Sequence, residues 1–219
     1  MAEAEYMRRT RDGYDLTAGA YAERFHHHLR DKPLDRAVIG GFAGLVSQTG
    51  NRLIADVGCG TGATTTLFGE FGVDTIGIDL SPNMIAEARR RHPGVGFHVG
   101  SMTDLPFDDN RFGGLCAWYS IIHIPDDALP QVFSEFRRVL RPGGFALIAF
   151  QVGHQPRYLT EAFGQRVDLT FHRRRPDAVA ALLEQARLTV YASLVRQPDD
   201  DGLESTPQAY VIARGGTAA

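Results

Sequence analysis

Apolar positions near the start of the chain recur every three to four residues. Tyr14, Ala18, Tyr21 and Phe25 would share one face of a first helix. A second helix is predicted from Pro33, a residue at home in a first turn, with Leu34, Val38, Phe42 and Leu45 as its apolar stripe and the Gly50-Asn51 turn after it. From there the period changes. Short apolar runs at 53–57, 73–78, 95–99, 113–118 and 145–152 read as strands. Between them lie helical stretches at 61–71, 81–91 and 128–140. The second is announced by Ser81 as N-cap and Pro82 in the first turn, and the third is stopped by Arg141-Pro142-Gly143-Gly144. Strands alternating with helices predict an α/β fold whose parallel sheet is covered on both faces. The end of the chain breaks this rhythm. After an insertion at 153–175 without an assigned element, a helix over 176–187 with Val179, Leu182 and Leu183 on its core face precedes two strands, at 188–196 and 208–213. Asp199-Asp200-Asp201-Gly202 lies between those strands, which read as a terminal antiparallel pair.

With 219 residues, no repeat and no linker-like stretch, the chain reads as one domain over 1–219. It divides into a helical lid and first helix (1–49), a ligand-binding core (50–152), and a part carrying the insertion, the last helix and the terminal pair (153–219). The net charge of −3 provides no basic field for nucleic acid or an anionic membrane. No apolar run approaches the roughly 20 residues of a membrane span. Met1-Ala2-Glu3-Ala4-Glu5 does not resemble a secretory leader, so a cytoplasmic location is expected. Cys59 and Cys116 sit in apolar runs and read as reduced core thiols. Lys32 is the one lysine among 23 basic residues, which points to a GC-rich bacterial genome rather than to chemistry.

The strongest chemical signal is Asp56-Val57-Gly58-Cys59-Gly60-Thr61-Gly62, set between a predicted strand and a predicted helix. Glycines there allow positive φ and let a ligand lie against the backbone at the carboxyl end of the sheet. Asp79 follows Gly62 by 17 residues and closes the next strand, where a carboxylate can accept hydrogen bonds from both hydroxyls of an adenosine ribose. Gly58, Gly60 and Ala63 also satisfy the dinucleotide fingerprint, so the glycines alone leave a nicotinamide enzyme open. Asp56, two residues before the first glycine, favours an amino-acid ammonium over a pyrophosphate. No Gly-Lys-Ser/Thr follows, which excludes a P-loop.

These segments together resemble the class I S-adenosylmethionine-dependent methyltransferases of the broad type 11 group. Asp56–Gly62 is similar to the first motif of that family, and Ile76-Gly77-Ile78-Asp79-Leu80-Ser81 to its ribose-binding strand end. Residues 100–107, GSMTDLPF, resemble its adenine-side loop, and 136–144, FRRVLRPGG, its late helix–turn motif. The stretch Ala117-Trp118-Tyr119-Ser120-Ile121-Ile122-His123 resembles a subgroup of small actinobacterial members. The resemblance implies a Rossmann-like, seven-stranded, mostly parallel sheet with the terminal antiparallel pair and an N-terminal helical lid. It implies S-adenosylmethionine as cofactor, S-adenosylhomocysteine as product, and no metal. Gly58 and Gly60 would contact the methionine part, Asp79 would hold the ribose, and Leu80 and Met102 would sandwich the adenine, with Gly62 and Met84 also at the cofactor. Ser101 would meet the adenine amine, at a position where many relatives carry an acid. Trp118 and Tyr119 would stand near the sulfonium and the acceptor.

Other residues have two readings each. Tyr14 and Tyr21 would either pack an amphipathic helix or form a lid over cofactor and acceptor. His123 is either structural or a general base, Tyr119 its neighbour at the reacting atoms, and His154 a further acceptor contact. His26-His27-His28 read as exposed lid residues without a metal, and Arg173-Arg174-Arg175 as a solvated run or an anchor for an acidic substrate. The expected acceptor is a small molecule, methylated in line with catalysis mainly by positioning. Three alternatives stand beside it: a macromolecular acceptor, which the missing basic stripe disfavours, a nicotinamide-dependent oxidoreductase, and a non-enzymatic S-adenosylmethionine sensor. The sequence leaves open the acceptor atom and whether the protein is a monomer or a homodimer.

Overall fold

The structure is a computed structural model that describes residues 3–216. Met1, Ala2 and residues 217–219, on which the leader reading and the ends of the 1–219 span fall, lie outside the described residues. Helix α1 spans Glu5–Phe25, a 3-10 turn His28–Asp31, and α2 Pro33–Ser47. The core then runs β1 (Leu53–Val57), α3 (Ala63–Glu70), β2 (Asp74–Asp79), α4 (Pro82–Arg91), β3 (Gly96–Val99), β4 (Phe112–Trp118), α5 (Leu129–Val139) and β5 (Leu140–Gln151). Strands β6 (Arg157–Ala162) and β7 (Gln165–Phe171), helix α6 (Pro176–Gln185), and strands β8 (Leu188–Arg196) and β9 (Gln208–Gly215) complete it.

Seven strands form one sheet in the order β3-β2-β1-β4-β5-β9-β8. Strands β1 to β5 are mutually parallel, β9 runs antiparallel to β5, and β8 antiparallel to β9. Both faces are covered, which explains the near-continuous apolar runs of the central strands. Leu115, Ala117, Ala146 and Ile148 point to the face of α5 and α6, where Phe133, Phe136, Val179 and Leu183 fill the core. Cys116, Leu147 and Ala149 alternate to the other face and meet Phe42, Val46, Leu67 and Phe68 of α2 and α3. Among the described residues no helix is long and apolar enough to cross a membrane.

Four local expectations are corrected. The 153–175 insertion is not irregular: β6 and β7 form a separate antiparallel hairpin, with Phe163 and Gly164 at φ of 51° and 72° as its two-residue turn. The stop at Arg141–Gly144 is a bulge within the β5 ladder, which pairs Leu140 with Phe112 and resumes at Phe145 with Gly114. The buried stripe of α2 is Asp35, Ile39, Phe42, Ala43 and Val46, so Leu34 faces solvent at 42% exposure. An inward aspartate, held by partners distant in sequence, rotates the helix away from its apparent apolar face. Helix α3 begins at Ala63 rather than Thr61, because Gly62 at φ 86° is its N-cap.

Strand order reverses between β1 and β4, so the chain leaves the carboxyl ends of these two strands in opposite directions and opens a crevice there. Helix α1 lies over it. Asp15 accepts from the Ser81 hydroxyl and from the Asn83 N–H at 3.0 Å, which pins α1 to the start of α4. Gly13 allows the other side of α1 to approach β7 closely: a Cβ there would stand 2.8 Å from Leu169 Cδ2.

Candidate active site

The loop after β1 is tied to the end of β2 by backbone. Gly58, at φ 76°, donates its N–H to the Ile78 carbonyl at 2.7 Å. A Cβ at Gly58 would lie 2.2 Å from Cβ of Ser120, so only glycine fits between the two crossings. The Gly60 N–H donates to Asp79 Oδ2 at 2.8 Å, and the Ser81 N–H to Oδ1 at 2.9 Å. Burial raises the Asp79 pKa, while these two backbone donors hold it down. Each oxygen keeps a lone pair for a ligand hydroxyl.

A cavity of about 460 Å³ lies over these strand ends, roofed by α1 and the β6–β7 hairpin. Gly58, Gly60, Asp79, Leu80, Met84, Ser101 and Met102 line one end. Tyr14, Tyr21, Trp118, Tyr119 and His123 line the middle. The other end is walled by Lys32, Asp35, Gln151, Glu204 and Gln208. Asp79 closes β2 and Gln208 opens β9, four strand spacings away. At about 4.8 Å per spacing the cavity reaches about 19 Å across the sheet.

Three expected site residues stand outside this lining. Asp56 is fully buried on the α2/α3 face of β1, beneath α3, where Oδ2 accepts from the Thr65 hydroxyl at 2.6 Å and Oδ1 has no partner. Strand alternation puts it there, and burial raises its pKa to about 7. Gly62 turns toward Phe97 and His92 rather than the ligand space; its contribution is the entry into α3. His154 is exposed and does not reach the cavity, because Gly153 bonds back to Arg174 and the chain leaves along the surface.

His123 is buried under α1 and β7. Its Nδ1 lies 3.0 Å from the Thr170 carbonyl, which can only accept, so Nδ1 carries the proton. Nε2 then accepts from the Tyr14 hydroxyl at 2.7 Å. Burial lowers the His123 pKa to about 4, and it raises those of Tyr14 and Tyr21, the latter to about 12. Around neutral pH this is an uncharged pair joining α1, the β4–α5 connection and the hairpin. Tyr119 occupies the left-handed region at φ 52° and accepts no proton role of its own: its hydroxyl lies 3.2 Å from that of Tyr210, and burial raises its pKa. Tyr210 donates to Asp35 Oδ1 at 2.7 Å and accepts from Arg196 Nε at 2.8 Å, so Tyr119 is the donor to it. The Trp118 ring stacks on Tyr210, with centroids 5.4 Å apart.

The remaining candidates resolve as structure. Arg174 is buried, paired with Asp126 at 2.8 Å and bonded to the Ile121 and Ile124 carbonyls. Arg175 pairs with Asp177, and Arg173 reaches the Ser205 hydroxyl. Of the histidine run only His27 is exposed; His26 stacks on His92 and His28 lines the cavity. Among the described residues no group of three or more His, Cys, Asp or Glu side chains is placed to hold a metal ion. The reading of the sequence missed the hairpin walls, Leu159, Phe163, Leu169 and Phe171, and the far-end group around Asp35 and Glu204.

Residues 54–144 match the methyltransferase domain family. Demethylmenaquinone methyltransferase of Chlorobaculum parvum is 40% identical over 96 residues, 43% of this chain and 39% of that protein. The enzyme of the same name from Beutenbergia cavernae is 35% identical over 138 residues, 62% of this chain and 52% of its own length. The chain thus spans about two fifths to half the length of these curated relatives. Among solved structures, Burkholderia thailandensis 1,6-didemethyltoxoflavin-N1-methyltransferase, with 1,6-didemethyltoxoflavin and S-adenosylhomocysteine bound, superposes with a TM-score of 0.69 over 99% of this chain and 91% of that one, at 23% identity. That likeness concerns the fold, and it extends through the lid and the terminal strand pair.

Proposed function

We propose that this chain, which belongs to the class I S-adenosylmethionine-dependent methyltransferases, moves the methyl group of that cofactor onto a small-molecule acceptor. The observation that carries the reading is the glycine loop locked to Asp79 at one end of a cavity whose other end is separate and walled differently. The residues present suit the cofactor. The backbone of Gly58 and Gly60 is open to the cavity, the Asp79 carboxylate keeps lone pairs for ribose hydroxyls, and Leu80 and Met102 offer apolar surface for a flat base. Bound there, S-adenosylmethionine would supply an electrophilic methyl group on a cationic sulfur.

In this reading the lid (1–49) and the acceptor-side part (153–219) close over the core (50–152). Tyr14 and Tyr21 exclude water, Trp118 and Tyr119 set the acceptor's plane, and catalysis rests on placement, worth about 7–11 kcal/mol at best. His123 holds Tyr14 and the hairpin in register rather than taking a proton. A neutral imidazole with both nitrogens occupied and its pKa near 4 is a weak base at neutral pH.

The test is calorimetry with S-adenosylhomocysteine and NADH on the purified chain. Asp79→Ala is expected to weaken S-adenosylhomocysteine binding by about 1.5–3 kcal/mol, the scale of a hydrogen bond to a charged group. An unchanged dissociation constant would remove Asp79 from the site, and tighter binding of NADH would overturn the assignment.

A further inference from the structure

We infer that the far end of the cavity is an acceptor subsite built for a neutral ring nitrogen that becomes cationic on methylation, and that it rejects anionic acceptors. This rests on the methyltransferase reading and adds the substrate class.

The charges at that end carry the argument. Lys32 and Arg196 face four carboxylates, Asp35, Glu204, Asp199 and Asp201. Lys32 Nζ is spent on Asp199 and, at 2.6 Å, on Asp201. Arg196 grips Glu204 through both terminal nitrogens, at 2.6 and 2.7 Å, and spends its remaining donors on Asp35, Tyr210 and the Gln197 carbonyl. Arg173 is turned to Ser205, outside the lining, and Arg157, the exposed first residue of β6, lines the cavity from the hairpin. An anionic acceptor would therefore meet a net negative surround at this end, where Lys32 and Arg196 are each already paired with carboxylates and Asp35 and Glu204 border the space. The rings of Phe25, Trp118 and Tyr119 add faces that attract a cation or a flat ring.

The acid–base groups agree. His28 lines the same end within the field of Lys32, Asp35, Asp201 and Glu204, and burial keeps it neutral with Nδ1 lacking a partner. Gln151 presents an amide whose Oε1 is buried and unpaired. These groups can hold an N–H or a ring nitrogen, whereas a hydroxyl acceptor would have to give up its proton before attack. A neutral nitrogen does not need that. Its lone pair becomes the new N–C bond, the electron pair of the broken C–S bond stays on sulfur, and the positive charge passes to nitrogen. A proton then leaves to water, where the nitrogen carried one. The net negative surround lowers the energy of the charge where it develops.

The test uses three isosteric probes, benzamidine (cation), benzamide (neutral) and benzoate (anion), titrated by calorimetry into the full chain saturated with S-adenosylhomocysteine. Benzamidine carries a delocalised positive charge centred on nitrogen, as the methylated product would. It is expected to bind about fivefold or more tighter than benzamide, and benzoate weakest of the three. Glu204→Gln keeps the side-chain length and a bond to Arg196; it should reduce benzamidine affinity about fivefold and leave benzamide within about twofold. Lys32→Met should act in the opposite direction and tighten benzamidine. Benzoate equal to or tighter than benzamidine, binding of none of the probes, or displacement of S-adenosylhomocysteine by benzamidine would overturn the subsite. The wild-type order decides even where a variant misfolds. Failure of the wild-type chain to bind S-adenosylhomocysteine would instead remove the methyltransferase reading beneath it.

Discussion

His123→Gln should flatten a pH-dependent part of the protein's stability. In the fold the imidazole pKa is lowered from 6.5 to about 4 by burial, with the Thr170 carbonyl pulling weakly the other way. An unfolded chain therefore takes up a proton near pH 6.5 that the folded chain refuses until about pH 4. The contribution is fully present above 6.5, declines as pH falls, and is lost by about 4. Over 2.5 units at about 1.36 kcal/mol each, the loss comes to about 3–4 kcal/mol. Asp56 acts with the opposite sign. Its pKa is raised from 3.8 to about 7 by burial, so its stabilisation is complete below 3.8 and is lost as pH rises through 7. The two nearly cancel between pH 4 and 6.5, and the wild-type curve alone would hide both. The difference between wild type and His123→Gln removes Asp56 from the comparison. Urea unfolding of both proteins at pH 7.5 and pH 4.5 should give wild type an excess loss of about 2–3 kcal/mol on acidification. Parallel curves, or an imidazole that titrates near 6.5 by NMR in the folded protein, would refute a buried neutral His123 and reopen it as a base.

Tyr210→Phe should cost about 1–3 kcal/mol in urea unfolding, because Asp35 Oδ1, the Tyr119 hydroxyl and Arg196 Nε all lose their shared partner in a buried place. Gly58→Ala should destabilise the protein and abolish S-adenosylhomocysteine binding in calorimetry, since its Cβ collides with Ser120 at a positive φ. Hydrogen exchange over Glu5–Phe25 should slow when S-adenosylhomocysteine binds, and equal protection in both states would make Tyr14 and Tyr21 packing residues rather than a lid.

The glycine loop and the strand end it is tied to are legible in the sequence because their physics is local. A loop that needs positive φ at Gly58, Gly60 and Gly62 must spell glycine at those positions, and a strand end that must offer a carboxylate spells Asp79. Parallel strands buried on both faces betray themselves as apolar runs whatever they pack against, so β1 to β5 were recoverable to within a residue or two, apart from the bulge at 141–144. Local rules also set the limits. The same alternation that identifies β1 sends Asp56 away from the ligand space, a consequence the motif alone conceals.

The far end of the cavity follows other rules. Asp35 meets Arg196, 161 positions later, and Tyr210, 175 positions later. No window of sequence contains both sides of such a contact, and within its own helix Asp35 reads as an exposed residue. Only the inward turn of α2, at the expense of Leu34, shows that a buried charge group outweighed the apolar stripe. The hairpin is an intermediate case. Val167, Leu169 and Phe171 alternate as a half-buried strand should, but their partner strand carries the exposed Arg157, Tyr158 and Glu161, and the turn is Phe163-Gly164 rather than Asn-Gly. A non-glycine residue at φ 51° is tolerated there because the Phe163 ring packs against Tyr21 and Phe25 of α1. The strain at that turn is thus balanced by a contact across the cavity mouth. That couples the hairpin to α1, so that two walls of the cavity are joined at its mouth.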